Sequence, residues 1–194
     1  MKATLFIQVF QDEENGNAML QAISKDFPGT YYAQRAQSVL ESIERRAQAE
    51  AQYAIGKKFP DFAEKDLDGK ALSIAGVKAK VVLLDFWATW CGPCIGELPN
   101  VKEAYEKHHA SGFEIVGISL DSDRKKLTDF IAKNQMPWPQ FFDGGGWQNK
   151  LAQQYGIQSI PATFLLDAEG TIIGEGSPRS GARSRSGKGS VKGR

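Results

Sequence analysis

The 194-residue chain carries 24 Lys/Arg against 23 Asp/Glu, and 41% of its residues are hydrophobic, an ordinary balance for one globular domain with an appendage. The charge is unevenly placed: the last twenty residues hold six basic side chains and one acid, leaving the other 174 with 18 basic and 22 acidic, a net of −4. A mildly acidic body gives no reason to expect a nucleic-acid partner, and no apolar stretch reaches the length of a membrane span.

The opening MKATLFIQVFQDEENGN has one Lys and a short apolar run halted by Asp12, Glu13 and Glu14, so no secretory leader is expected. Residues 17–54 are predicted helical in two pieces. NAMLQAISKDF ends at the breaker pair Pro28-Gly29, and Thr30 is placed to cap a second helix. Ala33, Ala36, Leu40, Ile43 and Ala47 recur along that helix at helical spacing. The pair resembles one tetratricopeptide-like hairpin, which cannot close a solenoid alone. The arm, residues 1–54, is expected to lie on the main domain, or else to be the end of a longer helical region upstream.

From residue 55 the pattern changes. FPDFAEKDLDGKALSI has a turn at Asp68-Gly69 between short β-prone runs and predicts a hairpin. KVVLLDFW is a continuous apolar run, as in a strand buried on both faces of a parallel sheet. LPNVKEAYEKHHAS predicts a helix, FEIVGISLD a second buried strand, RKKLTDFIAKNQ a helix, WPQFFD a short strand and WQNKLAQQYG a helix. ATFLLD and TIIG close with a hairpin across Ala168-Glu169-Gly170. Strands alternating with helices predict an α/β fold: a central, mostly parallel sheet flanked by helices.

The only two cysteines, Cys91 and Cys94, stand in WATWCGPC, between the first buried strand and the next helix. Free N–H groups and the helix dipole at that position favour a thiolate, which makes Cys91 the candidate nucleophile. Cys94, almost one turn on and on the same side, is placed to resolve a mixed disulfide. Pro93 costs nothing in a first helical turn. A structural zinc would need four ligands, and only His108 and His109 are available besides; at a helix end they are expected to be surface residues. No metal and no cofactor beyond a Cys91–Cys94 redox disulfide is expected.

WATWCGPC followed by GIQSIPATFLLDAEGTII resembles the thioredoxin superfamily, and more narrowly the TlpA-type thiol–disulfide oxidoreductases within the AhpC/TSA-redoxin group. The resemblance covers residues 56–174. The forty or so residues from Asp121 to Pro161 leave room for the strand and helix that TlpA-type domains insert. It implies a thioredoxin-like domain at 55–174 with an inserted βα unit. It also implies that Ile160-Pro161 is the cis-proline site facing the cysteine pair, with the Ile160 backbone pairing to a substrate chain. Trp90 is expected to form an apolar lip for substrate, with Gly92 and Pro93 between the cysteines as further substrate contacts, and Trp87 to be core. Pro99 is expected to kink its helix.

Asp85, six residues before Cys91, matches the buried acid of thioredoxins, while Glu97 matches the acid that many TlpA-type proteins place three residues after the second cysteine. Burial perturbs a pKa most strongly, so Asp85 is taken as the proton acceptor for Cys94. Glu97 stays open as the other candidate for that proton relay, and fits equally as a first-turn carboxylate for the helix dipole.

The resemblance implies an enzyme that reduces disulfides of partner proteins and is itself recharged by an upstream electron-donor protein. TlpA-type relatives are usually exported, which implies an extracytoplasmic (periplasmic) site of action, with a cytoplasmic one as the alternative because no leader is read. They keep client thiols reduced, including those of cytochrome c maturation. A peroxidase of the peroxiredoxin type is the first alternative, an antioxidant role for which the P-x-x-x-T-x-x-C setting is missing: Thr89 precedes Cys91 by two residues. A scaffold whose helical arm recruits a partner is the second. Residues 175–194, rich in Gly, Ser and Arg, are expected to be disordered. TlpA-type domains end on a helix there, so its absence points to a helix supplied from elsewhere or a frame slip near Gly174.

Overall fold

The computed structural model describes residues 13–176; the opening run of residues 1–12 and the basic stretch 177–194 lie outside the described residues. The chain divides into two compact units, Met1–Gln52 and Tyr53–Arg194.

The first unit is a helical hairpin. Helix α1 (Glu13–Asp26) begins four residues before the predicted start, and α2 spans Tyr31–Gln52. The break between them is the predicted one: Gly29 takes a positive φ of 77°, and the Thr30 hydroxyl accepts the Ala33 N–H at 3.2 Å. Leu20 and Ala36 are buried against Met19, Ile23, Val39, Leu40 and Ile43. Ala47, expected on the same stripe, is exposed. With 14 residues α1 is about 21 Å long against about 33 Å for the 22 residues of α2, so the last turns of α2 outrun it.

In the second unit a small hairpin comes first. Strands β1 (Glu64–Lys65) and β2 (Ala71–Leu72) are antiparallel, joined by a turn in which Asp66 Oδ1 accepts the Asp68 and Lys70 N–H groups. The central sheet follows: β3 (Val81–Trp87), α3 (Gly92–His108), β4 (Phe113–Ser119), α4 (Arg124–Asn134), β5 (Gln140–Phe141), α5 (Lys150–Gln154), β6 (Ala162–Asp167) and β7 (Ile172–Gly176). The strand order is β5-β4-β3-β6-β7. Strands β3, β4 and β5 run parallel, whereas β6 and β7 are antiparallel to their neighbours. The sheet is therefore mixed rather than mostly parallel. Helices α3 and α4 each return the chain for another parallel strand, but the chain re-enters at β6 from the opposite end and turns straight back in the β6–β7 hairpin. α4 and β5 occupy the position expected of the inserted unit.

Alternation along β3 defines two faces of different character. Val82, Leu84 and Phe86 are buried with Phe164, Leu166 and Ile172 of the partner strands. Phe86 and Phe164 also pack into an aromatic group with Tyr53, Phe59 and Tyr155, ring centroids 4.7–6.3 Å apart. On the other face Val81, Leu83 and Asp85, and Leu165 opposite Leu83, keep partial exposure. The expectation of a strand buried on both sides is thus corrected. The described residues end with β7, and within them Leu83 and Leu165 are only partly covered on this face. The strand β7 itself runs to Gly176, two residues beyond the expected end of the domain.

Candidate active site

Three chain segments meet at one end of the sheet. Trp87 ends β3 opposite Ser119, which ends β4, and β6 starts at Ala162 opposite Phe86. Residues 88–91, 120–121 and 160–161 therefore lie at the carboxyl ends of the parallel strands, where open α/β sheets place their sites.

Cys91 and Cys94 form a disulfide, and Cys91 is the N-cap of α3. Its Sγ accepts the Cys94 N–H at 3.2 Å, while its carbonyl accepts the Ile95 N–H at 3.0 Å. A sulfur that already caps the helix is held among the unpaired donors of the first turn, and reduction would leave its thiolate there. Exposure does not separate the two thiols: Cys91 is 5% and Cys94 8% accessible in the oxidised form. The difference between them is position relative to the helix end. Pro93 sits in the first turn, and Gly92 beside it is exposed. The helix continues through Pro99 to His108.

Asp85 lies within β3, between Gly117 of β4 and Thr163 of β6. It keeps some contact with solvent, but protein crowds the carboxyl, and desolvation pushes its pKa up to about 7. Glu97 is exposed on α3 and accepts a hydrogen bond from Asn100 Nδ2 at 2.9 Å. Because the helix starts at Gly92, Glu97 falls beyond the first turn, which corrects the expected role at the helix dipole. The Ile160-Pro161 peptide bond is cis, and both residues are partly buried. Trp87 is core as expected, its indole N–H donating to Gln140 Oε1 at 3.0 Å. Gly117 makes room for that amide, since a Cβ there would lie 2.0 Å from Gln140 Oε1. Trp90 is 53% exposed beside the disulfide. His109 stacks on Tyr105 at 4.5 Å and its Nδ1 lies 3.0 Å from the Phe113 carbonyl.

A buried polar network, which the sequence reading missed, holds the loop before Cys91. Asp121 accepts the Thr89 N–H at 3.0 Å, the Thr89 hydroxyl at 2.6 Å and the Ser119 hydroxyl at 2.8 Å. The Thr89 hydroxyl is therefore committed to Asp121. Asn149 continues the network, donating to the Ser119 carbonyl at 3.2 Å and to Asp143 Oδ1 at 3.1 Å while its own Oδ1 caps α5. Ser119, Asp121 and Asn149 are almost wholly buried. The available signals were an Asp just past a buried strand and an Asn ahead of an apolar helical run.

Residues 55–174 match the AhpC/TSA family. The thiol-disulfide oxidoreductase ResA of Bacillus thuringiensis subsp. konkukian is 35% identical over 126 residues, which cover 65% of this chain and 71% of that protein. The thioredoxin domain of a thiol-disulfide oxidoreductase from Bacteroides vulgatus superimposes with a TM-score of 0.57 at 30% identity, covering 63% of this chain and 87% of that one. A thiol-disulfide oxidoreductase from Bacteroides fragilis gives 0.56 at 31% identity, over 61% of this chain and 89% of that one. With a CxxC disulfide capping the helix after the central strand, the chain belongs to the AhpC/TSA family as a thiol–disulfide oxidoreductase of the TlpA/ResA type within the thioredoxin superfamily.

Proposed function

We propose that this oxidoreductase works as a reductase of disulfides in partner proteins, with Cys91 as the attacking thiol. The observation that carries the reading is Cys91 Sγ at the N-cap of α3, accepting the Cys94 N–H. The reduced enzyme attacks with the Cys91 thiolate, breaking the client disulfide, forming a mixed disulfide and expelling one client thiolate. Cys94, deprotonated, then attacks Cys91 Sγ. The second client thiolate leaves, and the enzyme keeps the Cys91–Cys94 disulfide. Two electrons pass to the client in all, and an upstream dithiol donor returns them.

Asp85 takes the Cys94 proton. A carboxyl held at about 7 accepts and releases a proton near neutrality, whereas an ordinary carboxylate would be a weak base there. Exposed Glu97, beyond the first turn of α3 and occupied by Asn100, takes no part in this transfer. The Ile160 backbone pairs with the client strand, Pro161 fixes that turn, and Gly92, Pro93 and Trp90 form the surface the client meets. We place this activity outside the cytoplasm, as the resemblance implies.

The direction of exchange is tested by equilibrating the pair in glutathione redox buffers. The Gly-Pro between the cysteines predicts a potential nearer that of a reducing thioredoxin, about −270 mV, than that of a strong dithiol oxidant, about −120 mV. A value at the oxidising end would reverse the proposed direction.

A further inference from the structure

Trp90 has an aromatic neighbour that belongs to a different part of the chain. Trp147 lies in the short 3₁₀ turn Gly146–Gln148 between β5 and α5, and its ring centroid is 5.9 Å from that of Trp90 with the planes tilted by 53°. The two indoles are 53% and 42% exposed, so together they present a broad apolar surface next to the disulfide. A single exposed indole would be ordinary, but two in contact make a contiguous apolar patch, the kind of surface that marks an interaction site.

This loop is held. Asp143 Oδ1 accepts the Gly145 N–H at 2.9 Å and Asp143 Oδ2 the Lys150 N–H at 2.8 Å. Gln153 Nε2 donates to the Trp147 carbonyl itself at 2.7 Å. Gly144 and Gly146 take positive φ values of 76° and 56°, which other residues adopt at a cost. The anchor is Asn149, wholly buried, which ties the loop to the Ser119 carbonyl; the Ser119 hydroxyl bonds Asp121, and Asp121 holds Thr89, the residue before Trp90. One buried chain of hydrogen bonds, Asn149–Ser119–Asp121–Thr89, thus positions both tryptophans relative to Cys91.

We infer that Trp90 and Trp147 form a preorganised aromatic subsite that selects clients carrying an apolar or aromatic side chain beside the attacked cysteine. This rests on the client-reductase reading above. Two indoles 5.9 Å apart with planes tilted by 53° offer joined aromatic surface against which a third apolar group can pack. Because buried hydrogen bonds hold the backbone that carries both indoles, the client bears less of the ordering cost. Trp147 is then a specificity residue that the pattern around the cysteines does not contain.

The test uses the full chain and two disulfide-linked peptides, identical except that the residue beside the attacked cysteine is Phe in one and Ser in the other. For the wild type, kcat/KM is expected to favour the Phe peptide by about tenfold, the size of one good aromatic contact. Trp147→Ala should collapse that ratio to within about twofold of unity through KM, and Trp147→Phe should restore most of it. A ratio unchanged in Trp147→Ala, or equal losses on both peptides, would overturn the subsite while leaving the reductase reading intact. Wild-type protein that reduces neither peptide would sink both, and that result is distinct from the first two.

Discussion

Replacing Asp85 by Asn isolates the cost of keeping a carboxyl inside β3. In the folded protein burial lifts its pKa from 3.8 to about 7. A shift of roughly three units corresponds to a ceiling of about 4 kcal/mol, and partial solvent contact lowers the expected figure to about 2 kcal/mol. The sign follows from the direction of the shift. The native state holds the proton more tightly than the unfolded chain, so this group's contribution is fully present below about pH 4 and is lost as pH rises through about 7. Asparagine cannot ionise. Oxidised Asp85→Asn and wild type should therefore have nearly equal stability at pH 4, and the variant should gain about 2 kcal/mol over wild type by pH 8. Urea unfolding followed by tryptophan fluorescence reads the right unit, because Trp87, Trp90, Trp138 and Trp147 all lie within Tyr53–Arg194. A difference that does not change with pH would refute the buried-carboxyl argument.

Asp85→Asn should also slow release of the second client thiolate in stopped-flow traces by about tenfold or more while leaving the first attack intact, and Glu97→Gln should change neither step by more than about twofold; a larger effect from Glu97 would move the relay there. Asp121→Ala strips acceptors from the Thr89 N–H, the Thr89 hydroxyl and the Ser119 hydroxyl, and should cost about 3 kcal/mol in urea unfolding at neutral pH. A loss below about 0.5 kcal/mol would show that the network does not hold the loop.

Much of this site was legible in the residues because its chemistry is local. Cys91, Pro93 and Cys94 declare themselves by spacing and by the strand before them, and Thr30 and Asp68-Gly69 announce a cap and a turn in the same local way. Long-range choices were not legible. That β6 runs against β3 depends on which end of the sheet the chain re-enters, and no periodicity encodes that. The partial exposure of Leu83 was hidden because an apolar strand reads the same whether its second face is fully or only partly covered. Asp121, Asn149 and Trp147 come together only through tertiary folding, 32 residues separating Thr89 from Asp121 and 30 separating Ser119 from Asn149. Their individual positions resemble an ordinary loop acid, a helix cap and a surface aromatic.

Trapping the mixed disulfide tests the central claim most directly. Cys94→Ser protein, reduced and mixed with a disulfide-linked client peptide, should accumulate a covalent adduct whose mass maps to Cys91, because no second thiol remains to release it. Cys91→Ser protein should form little or none under the same conditions. Equal or faster adduct formation through Cys94 in the Cys91→Ser variant would contradict the assignment of Cys91 as the attacking thiol at the helix terminus.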